Sequence, residues 1–243
     1  MNVYFDIETI PVQSPELIAE MRADMKAELD TALDGIRAPS NYKDEAKIAE
    51  FINAQHAKMI AEHDAKVADA IAKTSFDGGL GQICVIGWAI NDEAPYSYRV
   101  DDLTTSGERK LLQDFFCVLT DRRTLGDPMC FIGHNVIAFD IRFVWQRAMV
   151  LGVEPPFNFP RDPKPWGDAT FDTMLAWSGL KQGGSMDRLC RIFGLPGKGD
   201  MDGSKVWPFV QAGRIVEVAE YCCGDVQRTR ALHRRMTFAA VPA

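Results

Sequence analysis

Gln82-Ile83-Cys84-Val85-Ile86-Gly87-Trp88-Ala89-Ile90 runs without a charge and is rich in β-branched residues. The run is strand-length and far too short to cross a bilayer, so it reads as a strand inside a sheet. A strand with no polar face needs cover on both sides, which helices packed on a sheet provide. The remaining pattern agrees. Asn2 to Ile7 is a short apolar run, read as a first strand that ends at Asp6-Ile7-Glu8. Asn91-Asp92 turns the charge-free run into a strand near Tyr96 to Val100. Met129 to Gly133 and a short stretch near Ala169-Phe171 are further strands. Helices are expected from Ser106 or Gly107, from about Asp140 to Leu151, and at about 173–179, 185–193, 204–212 and 214–236. Strands lead, helices alternate with them and then dominate. That order predicts an α/β fold: a mixed sheet flanked by helices.

Residues 14–74 stand apart. Ser14-Pro15-Glu16 has the form of a helix start: a capping hydroxyl, Pro at the first helical position and an acid in the first turn. Ile18, Met21, Met25, Leu29, Leu33 and Ile36 follow at helical spacing until Pro39-Ser40-Asn41 breaks the pattern. A second helix is expected from about Asp44 to Lys73, roughly 45 Å long. The segment is therefore an inserted helical hairpin within one domain spanning 1–243. Three roles are open to it: an arm that grips substrate, a surface for a protein partner or for self-association, or packing on the body. Its polar faces carry both signs, which argues against a simple cationic clamp and favours packing or protein contact.

The net charge of −7 argues against a protein that coats nucleic acid by bulk electrostatics. From Lys181 onward, however, ten Lys/Arg face six Asp/Glu. A local basic surface is enough for a protein that holds a few nucleotides. The six cysteines form no Cys-x-x-Cys pair and sit in apolar or helical contexts, so they read as reduced core residues. The N-terminus shows no basic leader or cleavage motif, and no apolar run spans a membrane, so a cytoplasmic location is expected.

Alternation along a strand puts Asp6 and Glu8 on one face, opposite Ile7. Two carboxylates so placed repel unless a cation lies between them, although a pair of surface acids is the plainer explanation. In Gly133-His134-Asn135-Val136-Ile137-Ala138-Phe139-Asp140 a buried strand runs through a polar turn to an acid at a helix start. There Asp140 has a second explanation, stabilising the positive helix end, and a turn residue is an equal reading of Asn135. Tyr221 and Asp225 lie four apart in the last helix and share a face, with Gly224 beside them marking close packing or approach of a ligand.

Taken together, these segments resemble the DEDD superfamily of ribonuclease H-like 3′→5′ exonucleases, in the subclass that carries a tyrosine. Asp6-Ile7-Glu8 is similar to the first motif, Asn135 with Phe139-Asp140 to the second, and Tyr221 with Asp225 to the third. The Asn-x-x-x-Phe-Asp spacing looks most like the proofreading domain of family-B DNA polymerases. Gly194 to Ser204, with Lys198 in its glycine-rich centre, resembles stand-alone exonucleases related to that domain. The likeness covers most of the chain outside 14–74.

The resemblance implies a ribonuclease H-like sheet and a two-metal hydrolase that releases nucleoside 5′-monophosphates from 3′ ends of single-stranded DNA. RNA is the alternative substrate, and a catalytically dead binding or scaffold module is the alternative from another class. Asp6, Glu8, Asp140 and Asp225 would hold two divalent cations; carboxylate oxygens favour Mg²⁺ or Mn²⁺. Tyr221 would orient the attacking water. Asn135, Phe139, Lys198, Ile7 and Thr9 are the expected substrate contacts. His134 is expected to be structural, and Asp172-Thr173 to cap the next helix. Arg228, Arg230, Arg234 and Arg235 are expected to divide between solvent and a backbone-binding surface. The five tryptophans are expected in the core first.

Overall fold

The charge-free run is β2 (Gln82–Ile90), and every one of its residues is buried. It pairs antiparallel with β1 (Asn2–Ile10) on one side and β3 (Tyr96–Arg99) on the other. The sheet is completed by β4 (Cys130–Gly133) and β5 (Thr170–Asp172), both parallel to β1, in the order β3-β2-β1-β4-β5. The coordinates are a computed structural model and describe residues 1–122, 128–180, 183–197, 199 and 201–239.

The first strand is longer than its sequence suggests. It runs on to Ile10 and stays paired with β2 as far as Gln82, with a register shift between Glu8 and Thr9. Asp6 and Glu8 therefore lie within the central strand and do not terminate it. The polar residues interrupt the apolar pattern but not the ladder, because backbone pairing is indifferent to side chains.

One face of the sheet is covered by α3 (Thr105–Arg122) and α4 (Asp140–Leu151), over a core of Phe5, Phe115, Phe131, Phe143 and Phe159. Phe5 and Phe115 stack at 5.4 Å, and Phe131 meets Phe159 edge-on at 5.2 Å. Across α3 and α4, the buried Arg147 donates two hydrogen bonds to Glu108, at 2.8 and 2.6 Å, and a third to the Gly78 carbonyl at 3.2 Å. α5 (Thr173–Ser178), α6 (Met186–Phe193), α7 (Val206–Gln211) and α8 (Ile215–Met236) follow, and α8 crosses β1 and β2. Among the described residues no helix is long and apolar enough to cross a membrane.

The hairpin consists of α1 (Pro15–Asp34) and α2 (Glu45–Lys73), capped by Ser14 and Asp44 through the N–H groups of Leu17, Ala46 and Lys47. The two helices pack on each other, yet α1 buries no residue and α2 buries only Val67. The hairpin therefore buries little of its surface against the body. The arm returns to the sheet through a 3₁₀ turn, Thr74–Phe76. Trp166 and Trp177 also depart from expectation: both are exposed, outside the core.

Candidate active site

The parallel pairing of β1 with β4 aligns Val3 with Phe131 and Tyr4 with Ile132. The chain leaving β4 therefore passes beside Asp6 and Ile7 and reaches Asp140, the first residue of α4. The Ile7 N–H donates to Asp140 Oδ1 at 3.1 Å, tying the second acidic segment directly to the first. Asn135 turns the loop with a φ of 66°, a conformation Asn tolerates. Asp172 holds this turn: one carboxylate accepts the N–H groups of Asn135 and Ile137, at 3.0 and 3.2 Å, as well as capping α5. His134 hydrogen-bonds Thr173 Oγ1 at 2.9 Å, a structural contact.

α8 supplies the third segment. Gly87 lies opposite Asp6 in the β1–β2 register, and a Cβ there would stand 2.7 Å from Cys222 Sγ. The missing side chain lets the helix settle on the strands. Cys222 Sγ then reaches Asp6 Oδ2 at 3.4 Å, and ligand atoms of Asp6, Glu8 and Cys222 lie within 4.8 Å of one another. Sequence alone showed no cysteine beside the acids. Burial, then the charges of Asp6 and Glu8, push the Cys222 thiol well above its usual range. The thiol donates to Asp6, beside the carboxylate oxygens of Asp6 and Glu8. Cys84 approaches from the other side, its thiol donating to the Glu8 carbonyl at 3.4 Å.

Glu8, Asp140 and Asp225 are all buried. The Asp140 carboxyl is pushed up to about 7, first by burial and further by the charges of Asp172 and Asp225, against the lowering effect of the N–H groups of Ile7 and Asp140. Tyr221 is raised above the usual phenol range by burial and by Asp225, Glu8 and Asp6, in that order, and it is hydrogen-bonded to Asp225. One tyrosine thus senses acids from both β1 and α8.

Arg228, expected in solvent or on a backbone-binding surface, instead pairs with a site acid. Its Nε and Nη2 both donate to Asp225 Oδ1, at 2.8 and 2.6 Å, and the guanidinium lies over Gly224, where a Cβ would meet it at 3.1 Å. The three-residue spacing on a helix was the signal that could have found this pair. The other arginines expected to share a backbone-binding surface are also engaged. Arg230 donates to the carbonyls of Asn91 and Glu93, Arg234 pairs with Asp92, and Arg235 donates to the Phe193 carbonyl. Tyr221 and Arg228 open onto a cleft of ≈ 670 Å³ whose rim includes Lys205, Phe209 and Arg214.

The expected substrate contacts separate. The Ile7 side chain is buried in the apolar core, and its N–H donates to Asp140. The Thr9 hydroxyl donates to the Ser75 carbonyl at 2.7 Å and fastens the hairpin root. Phe139 is half-buried between Phe143 and Phe76. Lys198 lies outside the described residues; its neighbour Gly199 lines the cleft beside Tyr221.

No curated protein matches this sequence. Among solved structures, the family B DNA polymerase from the hyperthermophilic archaeon Pyrobaculum calidifontis is similar, with a TM-score of 0.55 and 16% identity. The match covers 66% of this chain and only 22% of the polymerase chain. At that identity the likeness concerns the fold, a ribonuclease H-like mixed sheet with flanking helices. A family model described as a predicted 3′-5′ exonuclease related to the exonuclease domain of PolB matches residues 79–241, which hold Asp140, Tyr221 and Asp225 but not Asp6, Glu8 or the hairpin. The chain belongs to this family of 3′-5′ exonucleases related to the PolB exonuclease domain.

Proposed function

We propose that this protein hydrolyses the terminal phosphodiester bond at 3′ ends of single-stranded DNA, with two divalent cations, Mg²⁺ or Mn²⁺, held by Asp6, Glu8, Asp140 and Asp225. The observation that carries the reading is the convergence of acids from β1, α4 and α8 in a buried setting. The Ile7 N–H bond brings Asp140 to β1, Cys222 brings α8 to Asp6, and Tyr221 senses Asp6, Glu8 and Asp225 together. Buried carboxylates at this density call for positive charge. The protein supplies it to Asp225 through Arg228, and Asp140 sits near the pH at which it takes a proton. The donor set is dominated by carboxylate oxygens, which fit hard cations.

Cations bound there would lower the pKa of a water and offset the charge of the departing 3′ oxygen. Asp6, Glu8 and Asp225 would hold the cation that activates water, and Asp6 with Asp140 the second. Tyr221 keeps its proton across neutral pH, so its hydroxyl orients the attacking water and does not act as a base. Asn135 and Phe139 border the acid end of the second segment and are assigned to the terminal nucleotide, with Lys198 on a phosphate. The products are nucleoside 5′-monophosphates. The chain acts as one exonuclease domain, and the exposed hairpin is assigned to contact with a protein partner or a second copy.

The test is a 5′-labelled oligonucleotide, as DNA and as RNA, with Mg²⁺ or Mn²⁺. A 3′→5′ ladder on DNA that vanishes with EDTA and with Asp6→Ala is expected. A ladder that survives EDTA, or no ladder on either polymer, would overturn the proposal; a ladder on RNA alone would move the substrate to RNA.

A further inference from the structure

The 3₁₀ turn at the hairpin root ends in Phe76, a residue that is 73% exposed. Its surroundings are not those of a loose loop. Thr9 Oγ1 donates to the Ser75 carbonyl at 2.7 Å, and the Val12 N–H donates to Thr74 Oγ1 at 2.8 Å. Just beyond the ring, Gly81 N donates to Asp77 O at 2.7 Å, and Arg147 holds the Gly78 carbonyl. The backbone here is tightly seated. A Cβ on Gly81 would lie 2.4 Å from the Thr74 carbonyl, and one on Gly78 would lie 2.6 Å from Gln146 Oε1. The turn is fixed to the end of β1 on one side and to α4 on the other, and it presents an aromatic ring to solvent.

That ring packs beside the two segments that carry the acids of β1 and α4. Thr9, which fastens the turn, follows Glu8; Phe139, whose ring centroid is 6.4 Å from that of Phe76, precedes Asp140. Phe139 is in turn 5.5 Å from the buried Phe143. The three rings form a row from the core to the surface, and its outer member lacks a covering neighbour on most of its area. An exposed, rigidly held aromatic ring beside a site for single-stranded nucleic acid is a stacking platform: every base offers a π-face, and stacking is indifferent to sequence. Phe76 lies outside residues 79–241, so the family likeness does not account for it.

We infer that Phe76 stacks on a base of the single strand entering the candidate site, with Phe139 as its backing ring. The inference rests on the exonuclease reading above and adds to it a specific role for the hairpin root: the insertion contributes a residue to substrate binding.

The test uses the full chain in EDTA and DNA oligonucleotides carrying 2-aminopurine at one of the three 3′ positions. The wild type is expected to quench the fluorophore at one of them. Phe76→Ala and Phe76→Leu should lose that quench and bind about 5- to 100-fold more weakly, while Phe76→Trp restores both. With Mn²⁺, the loss should appear in KM and not in kcat. On a strand abasic at the quenched position, wild type and Phe76→Ala should bind alike; this separates stacking from a structural role, since a merely misplaced Phe139 would weaken binding on both strands. The inference is overturned if Phe76→Ala and Phe76→Leu bind the intact strand as the wild type does, or if their deficit persists on the abasic strand. If the wild type itself neither quenches nor degrades any strand, the exonuclease reading fails, and this inference with it.

Discussion

Replacing Asp140 by Asn removes a charge and leaves the shape nearly unchanged. The Asn oxygen can still accept the Ile7 N–H that now meets Asp140 Oδ1 at 3.1 Å. What disappears is a carboxyl that burial holds at about 7, where the unfolded chain has it at about 3.9. Between those values the folded protein keeps a proton that the unfolded chain has released. Stability owed to this group is therefore complete at low pH and is lost as pH rises, at ~1.4 kcal/mol per pH unit, until it levels off above about 7. Between pH 5 and 8 the loss amounts to about 3 kcal/mol. Urea denaturation of wild type and Asp140→Asn in EDTA, at pH 5, 6, 7 and 8, reads it directly. The variant's stability relative to the wild type should rise across that range by about 3 kcal/mol. Mn²⁺ at pH 8 should restore the wild type by binding its native state, and should help the variant less. A difference that is flat across the range, or that slopes the other way, would refute the claim that this carboxyl is confined without adequate compensation.

Three other substitutions test neighbouring parts of the same reasoning. Tyr221→Phe should cut turnover about 100-fold while leaving Mn²⁺ affinity by calorimetry unchanged, because it removes a hydroxyl that orients water and no ligand; loss of Mn²⁺ binding would contradict that role. Arg147→Met strands the buried Glu108 and should lower the free energy of unfolding by about 3–5 kcal/mol, with the further change Glu108→Leu recovering most of it. Gly87→Ala sets a methyl 2.7 Å from Cys222 Sγ and should cost about 1–3 kcal/mol in urea melts, with Cys222→Ala relieving part of the loss. If that second change gave no relief, the contact between β2 and α8 would not be the cause.

Local physics made the helices and the interior strand legible. Ser14 before Pro15, and Asp44 before a long apolar stripe, mark helix starts whatever the rest of the chain does; Ser14 caps as expected, and Asp44 proves to be the cap and not the first helical residue. The charge-free run could only be a covered strand. β1 was harder, since Asp6, Glu8 and Thr9 break the apolar pattern that signals a strand, yet its ladder to β2 runs through them. Cys222 could not be recognised beside Asp6, because its place depends on how α8 is rotated over the sheet. Phe76 was equally hidden: a phenylalanine after a long helix reads as core, and only the tertiary seat of the turn exposes it. Arg228 was within reach, since a cation three residues beyond a helical acid is a local signal.

The way the acids are brought together accounts for both the stability and the chemistry argued above. β4 runs parallel to β1, so the loop after Gly133 arrives beside Asp6 and delivers Asp140 to the Ile7 N–H. β2 runs antiparallel and sets Gly87 opposite Asp6, where the absent side chain admits Cys222 and lets α8 carry Tyr221 and Asp225 down to the strand. Each approach removes water from a carboxylate and brings donors with it: N–H groups for Asp140, a thiol for Asp6, a guanidinium and the Tyr221 hydroxyl for Asp225. Of these donors only the guanidinium carries a full positive charge. Asp140 is thus held above the ordinary carboxylate range, a cost that a proton relieves at low pH and that the proposed cations would relieve at neutral pH. Cation binding and global stability should for that reason be coupled in this chain, and the coupling should weaken as pH falls through the range in which Asp140 becomes protonated.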